Sequence, residues 1–206
     1  MSDDLRGHYR KLFDQHGDAA QAVQHRDAAS QHNRFRVLTE FADDLGSVVD
    51  VGCGLGHLYD YLRGTGFQGT YLGLDFVAEF VAQARHRHAA SASASARFEL
   101  FDMRADRYPE GRDTFVICGV FNNRAPDAEA FMQATLRGAF AAARRGIAFS
   151  AMSTYVDYQD ETLAYFDPRA VFDFCKTSLS RRVTLRHDYL VREDRPPYEF
   201  TIYVYK

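Results

Sequence analysis

Three glycines at alternate positions, Gly52, Gly54 and Gly56, follow an acid, Asp50, in the run Val48-Val49-Asp50-Val51-Gly52-Cys53-Gly54-Leu55-Gly56. Glycine turns sharply and lets a ligand approach the backbone without meeting a Cβ. The β-branched residues before it suit a buried parallel strand. From His57 to Arg63 the chain can open a helix, whose first N–H groups favour an anion. Strand, glycine loop and helix in that order read as a site for a nucleotide-type cofactor. The spacing is not the dinucleotide fingerprint Gly-x-Gly-x-x-Gly, because His57 holds its third glycine position.

Two more acids follow apolar runs. Asp75 ends Tyr71-Leu72-Gly73-Leu74-Asp75, about twenty residues past the loop, where a carboxylate can accept both ribose hydroxyls. A helix cap is the other use of an Asp there. Asp102 follows Phe98-Glu99-Leu100-Phe101. Ligands of open α/β sheets bind beyond the carboxyl ends of the strands, which adds Cys118-Gly119 after a fourth apolar run.

Asp50-x-Gly52-x-Gly54-x-Gly56 resembles motif I of the class I S-adenosylmethionine (SAM) methyltransferases. The resemblance covers about residues 46–206 and implies SAM as cofactor, with no metal. Asp50, Gly52, Cys53 and Gly54 would then hold its aminoacyl part, and Asp75 its ribose. Phe76 would offer the adenine an apolar surface. Asp102 would accept from the adenine amino group, with Met103 giving a backbone N–H. The backbone of Cys118 and Gly119 would line the pocket near the sulfonium. Arg34, reaching from the N-terminal region, is the candidate partner for the cofactor carboxylate, ahead of Arg26.

The elements that must position these residues follow from periodicity. Strands are expected at Ser47–Val51, Thr70–Leu74, Arg97–Phe101, Thr114–Gly119 and Gly146–Ser150. Helices are expected at His57–Thr65, Phe76 to about His88, Ala128–Ala143 and Pro168–Ser178. Arg181–Leu190 and Tyr198–Tyr205 alternate as paired antiparallel strands do. Such alternation implies a Rossmann-like α/β fold, a mostly parallel sheet with helices on both faces. The final hairpin, in a sheet of seven strands, resembles the methyltransferases rather than a dehydrogenase. Residues 1–45 read as a helical cap on the same domain. Leu5, Tyr9, Leu12 and Phe13 form one apolar stripe, Gly17-Asp18 a break, and about Ala19 to Leu45 a second segment over the ligand end of the sheet. The Ala/Ser tract from Ala89 to Ala96 reads as a solvated helix tail or loop.

Methyl transfer from a sulfonium needs alignment and exclusion of water, plus a base when the acceptor is a hydroxyl or a carbon. Candidate catalytic residues are therefore Asn122 with its neighbour Asn123, in Phe121-Asn122-Asn123-Arg124, and Tyr155, in Ser153-Thr154-Tyr155-Val156-Asp157-Tyr158, with His25 and His32 as possible bases. A tight turn would use the asparagines equally well. The loop after the fourth strand lacks the Asn/Asp-Pro-Pro-aromatic motif of the enzymes that methylate nucleobase amino groups. Arg85-His86-Arg87-His88 reads as an exposed charged helix end.

Length and charge narrow the partners. The 206 residues suit one domain with a real core. A formal net charge of -3 provides no global field for nucleic acid. No apolar run approaches a membrane span, and the polar start is unlike a secretion signal. Three scattered cysteines, Cys53, Cys118 and Cys175, make neither a disulfide framework nor a zinc spacing and suit a reducing cytoplasm. The expected activity is methyl transfer from SAM to a small molecule. The alternatives are an RNA or protein methyltransferase, using a patch of Arg137, Arg144, Arg145, Arg181 and Arg182, or a SAM-binding protein without turnover. Oligomeric state is not legible.

Overall fold

A computed structural model describes residues 3–89 and 95–206. Of the Ala/Ser tract, residues 90–94 lie outside the described residues. The chain runs α1 (Asp3–His16), a one-turn 3₁₀ helix (Ala20–Val23), α2 (Ala28–Thr39), β1 (Val48–Val51), α3 (His57–Gly64), β2 (Tyr71–Asp75), α4 (Ala78–His88) and β3 (Ala96–Leu100). It continues through β4 (Arg112–Ile117), α5 (Ala128–Ala142), β5 (Ala143–Met152), α6 (Pro168–Ser178), β6 (Arg182–Arg186) and β7 (Glu199–Tyr205).

The strands form one seven-stranded sheet in the order β3-β2-β1-β4-β5-β7-β6. β7 runs antiparallel to both β5 and β6, so it alone opposes the other strands. The terminal hairpin is present, with its second strand inserted between β5 and the edge strand β6. Strand order reverses beside β1, between β2 and β4. That switch point opens the crevice in which such sheets bind ligands.

Period-two alternation sorts the core into two layers. Val49, Val51, Phe115, Ile117, Ile147, Phe149, Ile202 and Val204 pack with α5 and α6. Val48, Val116, Ala148 and Tyr203 pack on the other face with Phe35 and Leu38 of α2 and Leu58 and Leu62 of α3. Asp50 shares this second face by its place in β1, and the Tyr71 hydroxyl donates to its carboxylate.

The N-terminal segment departs from the expected pair of long helices. Gln24 adopts a left-handed conformation, φ 60°, after the 3₁₀ turn, and Asp27 then caps α2 by accepting from the Ser30 N–H at 2.7 Å. α2 therefore lies flat on the sheet, since its apolar side chains are buried there. The roof over the crevice is made by α1 and the 3₁₀ turn. Tyr9 meets Phe76 and Phe80 edge-on, and Phe13 meets Phe80.

At the α4 C-terminus Arg85, His86 and Arg87 are exposed as expected, and His88 is the exception. His88 stacks on Phe98 with centroids 5.2 Å apart and is largely buried. Arg87 pairs with Asp18 and with Asp60 at 2.6 Å. Among the described residues no cluster of His, Cys, Asp and Glu has metal-site geometry, and no helix is long and apolar enough to cross a membrane.

Candidate functional site

The crevice at the switch point is a cleft of about 830 Å³. Its floor is the glycine loop. The Gly52 and Cys53 N–H groups donate to the Leu74 carbonyl at 2.7 and 3.0 Å, and the Gly54 N–H donates to Asp75 Oδ2 at 2.8 Å. Gly52, Gly54 and Gly56 have φ of 78, 53 and 81°, the left-handed region that side chains resist. A Cβ at Gly52 would stand 2.4 Å from Val120 Cγ2, and one at Gly54 would stand 2.7 Å from Val23 Cγ1. Both valines line the cleft, so the loop is bare where the walls come closest.

Asp75 ties two elements to the site. Its second oxygen accepts from the Val77 N–H at 2.9 Å, at the start of α4. A carboxylate offers about four lone-pair positions, so two remain for ribose hydroxyls. Burial raises its pKa to about 6, against the opposing pull of the Val77 and Gly54 N–H groups. Asp50 is buried too. Desolvation lifts its pKa to about 7, although the Tyr71 hydroxyl stabilises the anion. A cationic group brought into the cleft would relieve both acids. The bare loop, the spare lone pairs of Asp75 and the undercompensated Asp50 fit the aminoacyl and ribose parts of SAM.

The sequence candidates divide. Asp50, Gly52, Cys53, Gly54, Asp75, Phe76, Met103, Cys118, Gly119, Asn122 and His25 all line this cleft. Asn122 Oδ1 is buried without a hydrogen-bond partner. His25 is half-buried, and desolvation, followed by the charges of Arg34 and His57, lowers its pKa to about 3. Its imidazole is therefore neutral and a weak base near neutrality. Burial pushes the Cys118 thiol up to about 12, so it is no nucleophile.

Three candidates lie elsewhere. Arg34 is not among the cleft residues. Its guanidinium grips Glu199, with Nε 2.9 Å from each carboxylate oxygen and a terminal nitrogen 2.6 Å from Oε1. The physical reason is Glu199, a carboxylate only 2 % exposed, which needs a cation beside it. Asp102 closes a turn instead, accepting from the Arg104 N–H at 2.9 Å, while its own N–H donates to Asp106. Tyr155 is 53 % exposed and faces His187 and Arg169. Hydrogen bonds between Thr154 and Phe166 and between Phe166 and Met152 turn the post-β5 loop toward α6, away from the cleft.

The structure adds residues not singled out beforehand. Leu5 and Tyr9 of α1 roof the cleft, and Val23, Gln24, Gln31, His57 and Val120 wall it beside the expected Asn123. Leu5 and Tyr9 carried a signal in their helical spacing, which read only as a core stripe. Gln24 carried none, because its left-handed backbone is set by tertiary contacts.

Comparison with known proteins agrees with this geometry. Residues 48–139 match the family described as a methyltransferase domain. The Mycobacterium tuberculosis protein Rv1506c, itself named as a methyltransferase, is 38% identical over 171 residues, covering 80% of this chain and 96% of its own. In overall fold the chain is similar to the SAM-bound magnesium protoporphyrin IX methyltransferase ChlM of Synechocystis PCC 6803. The TM-score is 0.68 at 16% identity, over 100% of this chain and 98% of that one. The DhpI complex with SAM and HEP gives the same score and identity over 98% and 95%. With a glycine loop on the switch point, an acid in each of the first two strands and a relative this similar along most of its length, the chain belongs to the class I SAM-dependent methyltransferases.

Proposed function

We propose that this methyltransferase acts on a small molecule. The observation that carries the reading is the roof. Leu5 and Tyr9 of α1 cover the cleft, and Tyr9, Gln24 and Asn123 bond to one another across its mouth. An acceptor must fit beneath that cover. Three of the five arginines of a possible macromolecular patch make local contacts. Arg137 lies over Phe174, Arg182 over Tyr205, and Arg145 beside Asp44 and Asp113. None of them lines the cleft.

Bound in the cleft, SAM would supply an electrophilic sulfonium methyl, passed in line to the acceptor as its C–S bond breaks and the thioether of S-adenosylhomocysteine leaves. The protein's own part is binding and alignment. Asp50 would hold the aminoacyl end, Asp75 the ribose, and Phe76 and Met103 the adenine. Gly119, Asn122 and His25 would face the reacting end. A neutral His25 provides a polar wall there rather than a strong base, which suits an acceptor that arrives able to attack. The test is incubation with methyl-labelled SAM and a cell extract, followed by separation of small molecules from protein and RNA. Label in the small-molecule fraction supports the reading. Label confined to a macromolecule would sink it.

A further inference from the structure

A second cleft, about 1650 Å³, adjoins the first. Leu5, Gln24, Val120 and Asn123 line both. Two further clefts, one beside residues 159–166 and one beside α6, share no residue with the first. Only a cleft that meets the donor cleft can deliver an acceptor to it. The partition between the two is polar. Tyr9 Oη donates to Gln24 Oε1 at 2.9 Å, Asn123 Nδ2 reaches Tyr9 Oη at 2.8 Å and Gln24 Oε1 at 3.1 Å, and Gln24 Nε2 lies 2.8 Å from His8 Nε2.

Gln24 is the only non-glycine residue with positive φ among the described residues. Such backbone is costly and persists where its surroundings hold it, most often at functional sites. The kink places Gln24 in the partition and His25, next in the chain, in the donor cleft. Beyond the partition, Phe121 and Phe131 give the second cleft an apolar floor. Arg104 lies 4.4 Å over the Phe131 ring and is paired with Asp127 at 2.7 Å, so its charge is already balanced.

We infer that the second cleft is the acceptor site, that it takes an uncharged, ring-sized apolar molecule bearing a hydroxyl or amino group, and that Gln24 is the residue that reads this group. This rests on the SAM-methyltransferase reading of the first cleft. Gln24 Oε1 already accepts from Tyr9 and Asn123 and Nε2 reaches His8, so the carboxamide keeps one Nε2 N–H, which can donate to a lone pair of such a group. An anion would gain little, since Asp4 and Asp127 line this cleft beside Arg104 and Arg124 and match them in number.

The test is ligand-observed NMR with the probes 2-naphthol, naphthalene and 2-naphthoate, with the demethylated cofactor S-adenosylhomocysteine present. Calorimetry with that cofactor alone is the separate control. 2-Naphthol should bind together with the cofactor and more tightly than naphthalene or 2-naphthoate. Ala128→Trp, which fills the second cleft from the start of α5, should weaken 2-naphthol about tenfold or more while cofactor affinity holds. If that variant loses the cofactor as well, Ala125→Trp fills the same cleft from the preceding loop and replaces it. Gln24→Gly keeps the backbone geometry and should erase the preference for 2-naphthol over naphthalene. The assignment is overturned if 2-naphthol does not bind, is displaced by the cofactor, binds the filled variant unchanged, or is outcompeted by 2-naphthoate. It is equally overturned if Gln24→Gly keeps the preference. A wild type that fails to bind the cofactor in the control instead removes the parent reading, and this assignment with it.

Discussion

Asp75 accepts the Gly54 N–H at 2.8 Å, so one carboxylate both shapes the glycine loop and faces the cleft that the loop forms. In the proposed SAM complex, loop position and ribose recognition are thereby coupled. Asp75→Ala is expected to weaken SAM binding by about 1.5–3 kcal/mol, the scale for hydrogen bonds to a charged group. Titration calorimetry reads this directly. Wild-type affinity in the variant would remove Asp75 from the site.

The loop glycines make a second, internally controlled prediction. Gly52→Ala and Gly54→Val each place a side chain on left-handed backbone and against a cleft-lining valine. The backbone alone costs about 1–2 kcal/mol. Both variants should lose measurable SAM binding and melt at lower temperature. Gly64, in α3, has no atom within 4 Å of an added Cβ. Gly64→Ala should keep SAM affinity and gain about 0.5–1 kcal/mol of stability. Thermal melts with and without SAM separate the two classes.

Asp50 predicts a pH dependence. Its folded pKa, about 7, lies above the ordinary 3.8. The sign follows from linkage. Its contribution to stability is fully present below the unfolded value and is lost as pH rises toward 7, as the buried group ionises. A ligand that brings an ammonium group to Asp50 offsets that loss. SAM affinity should therefore rise between about pH 6 and pH 8. In Asp50→Asn the rise should flatten and affinity at neutral pH should fall. An unchanged profile in the variant would break the link.

His25 predicts the opposite slope on the acid side. Its folded pKa, about 3, lies below the ordinary 6.5. Its neutral form is favoured in the fold, so stability is lost as pH falls from about 6.5 toward 3, by at most roughly 1.4 kcal/mol per pH unit. Denaturant melts of wild type and His25→Gln should diverge from the neutral value as pH drops to 5, with the variant less sensitive. Parallel curves would mean that His25 is solvated.

The Arg34–Glu199 pair separates a structural cation from a ligand-binding one. Arg34→Met strands Glu199 in the core and should cost about 3–5 kcal/mol. Arg34→Met with Glu199→Leu removes both charges and should recover most of that stability. The double variant should keep SAM affinity, read by calorimetry. Loss of affinity in a stable double variant would return Arg34 to the cofactor site.

The sequence by itself determined the features that local pattern carries. Period-two apolar runs separated by amphipathic helices dictate the parallel sheet and its final antiparallel strand. Asp50 and the alternate glycines dictate a bare loop at the end of β1, because glycine takes that backbone without the cost a side chain brings. Asp75 was legible because its role depends on where β2 ends. What tertiary structure decided is each place where a side chain answers a partner far along the chain. Arg34 and Glu199 are both plausible surface charges in sequence and become a buried pair only when α2 lies on β7. Tyr155 turns outward because Phe166 bonds Met152 at the end of β5 and Thr154 in the loop that follows. Asp102 is taken up by its own turn. Gln24 holds a left-handed backbone that its residue type does not favour, so the roof and the partition it forms could be read only from the fold. Backbone periodicity is a local property written in residue order, whereas charge pairing and strain are settled by which distant groups share the same desolvated space.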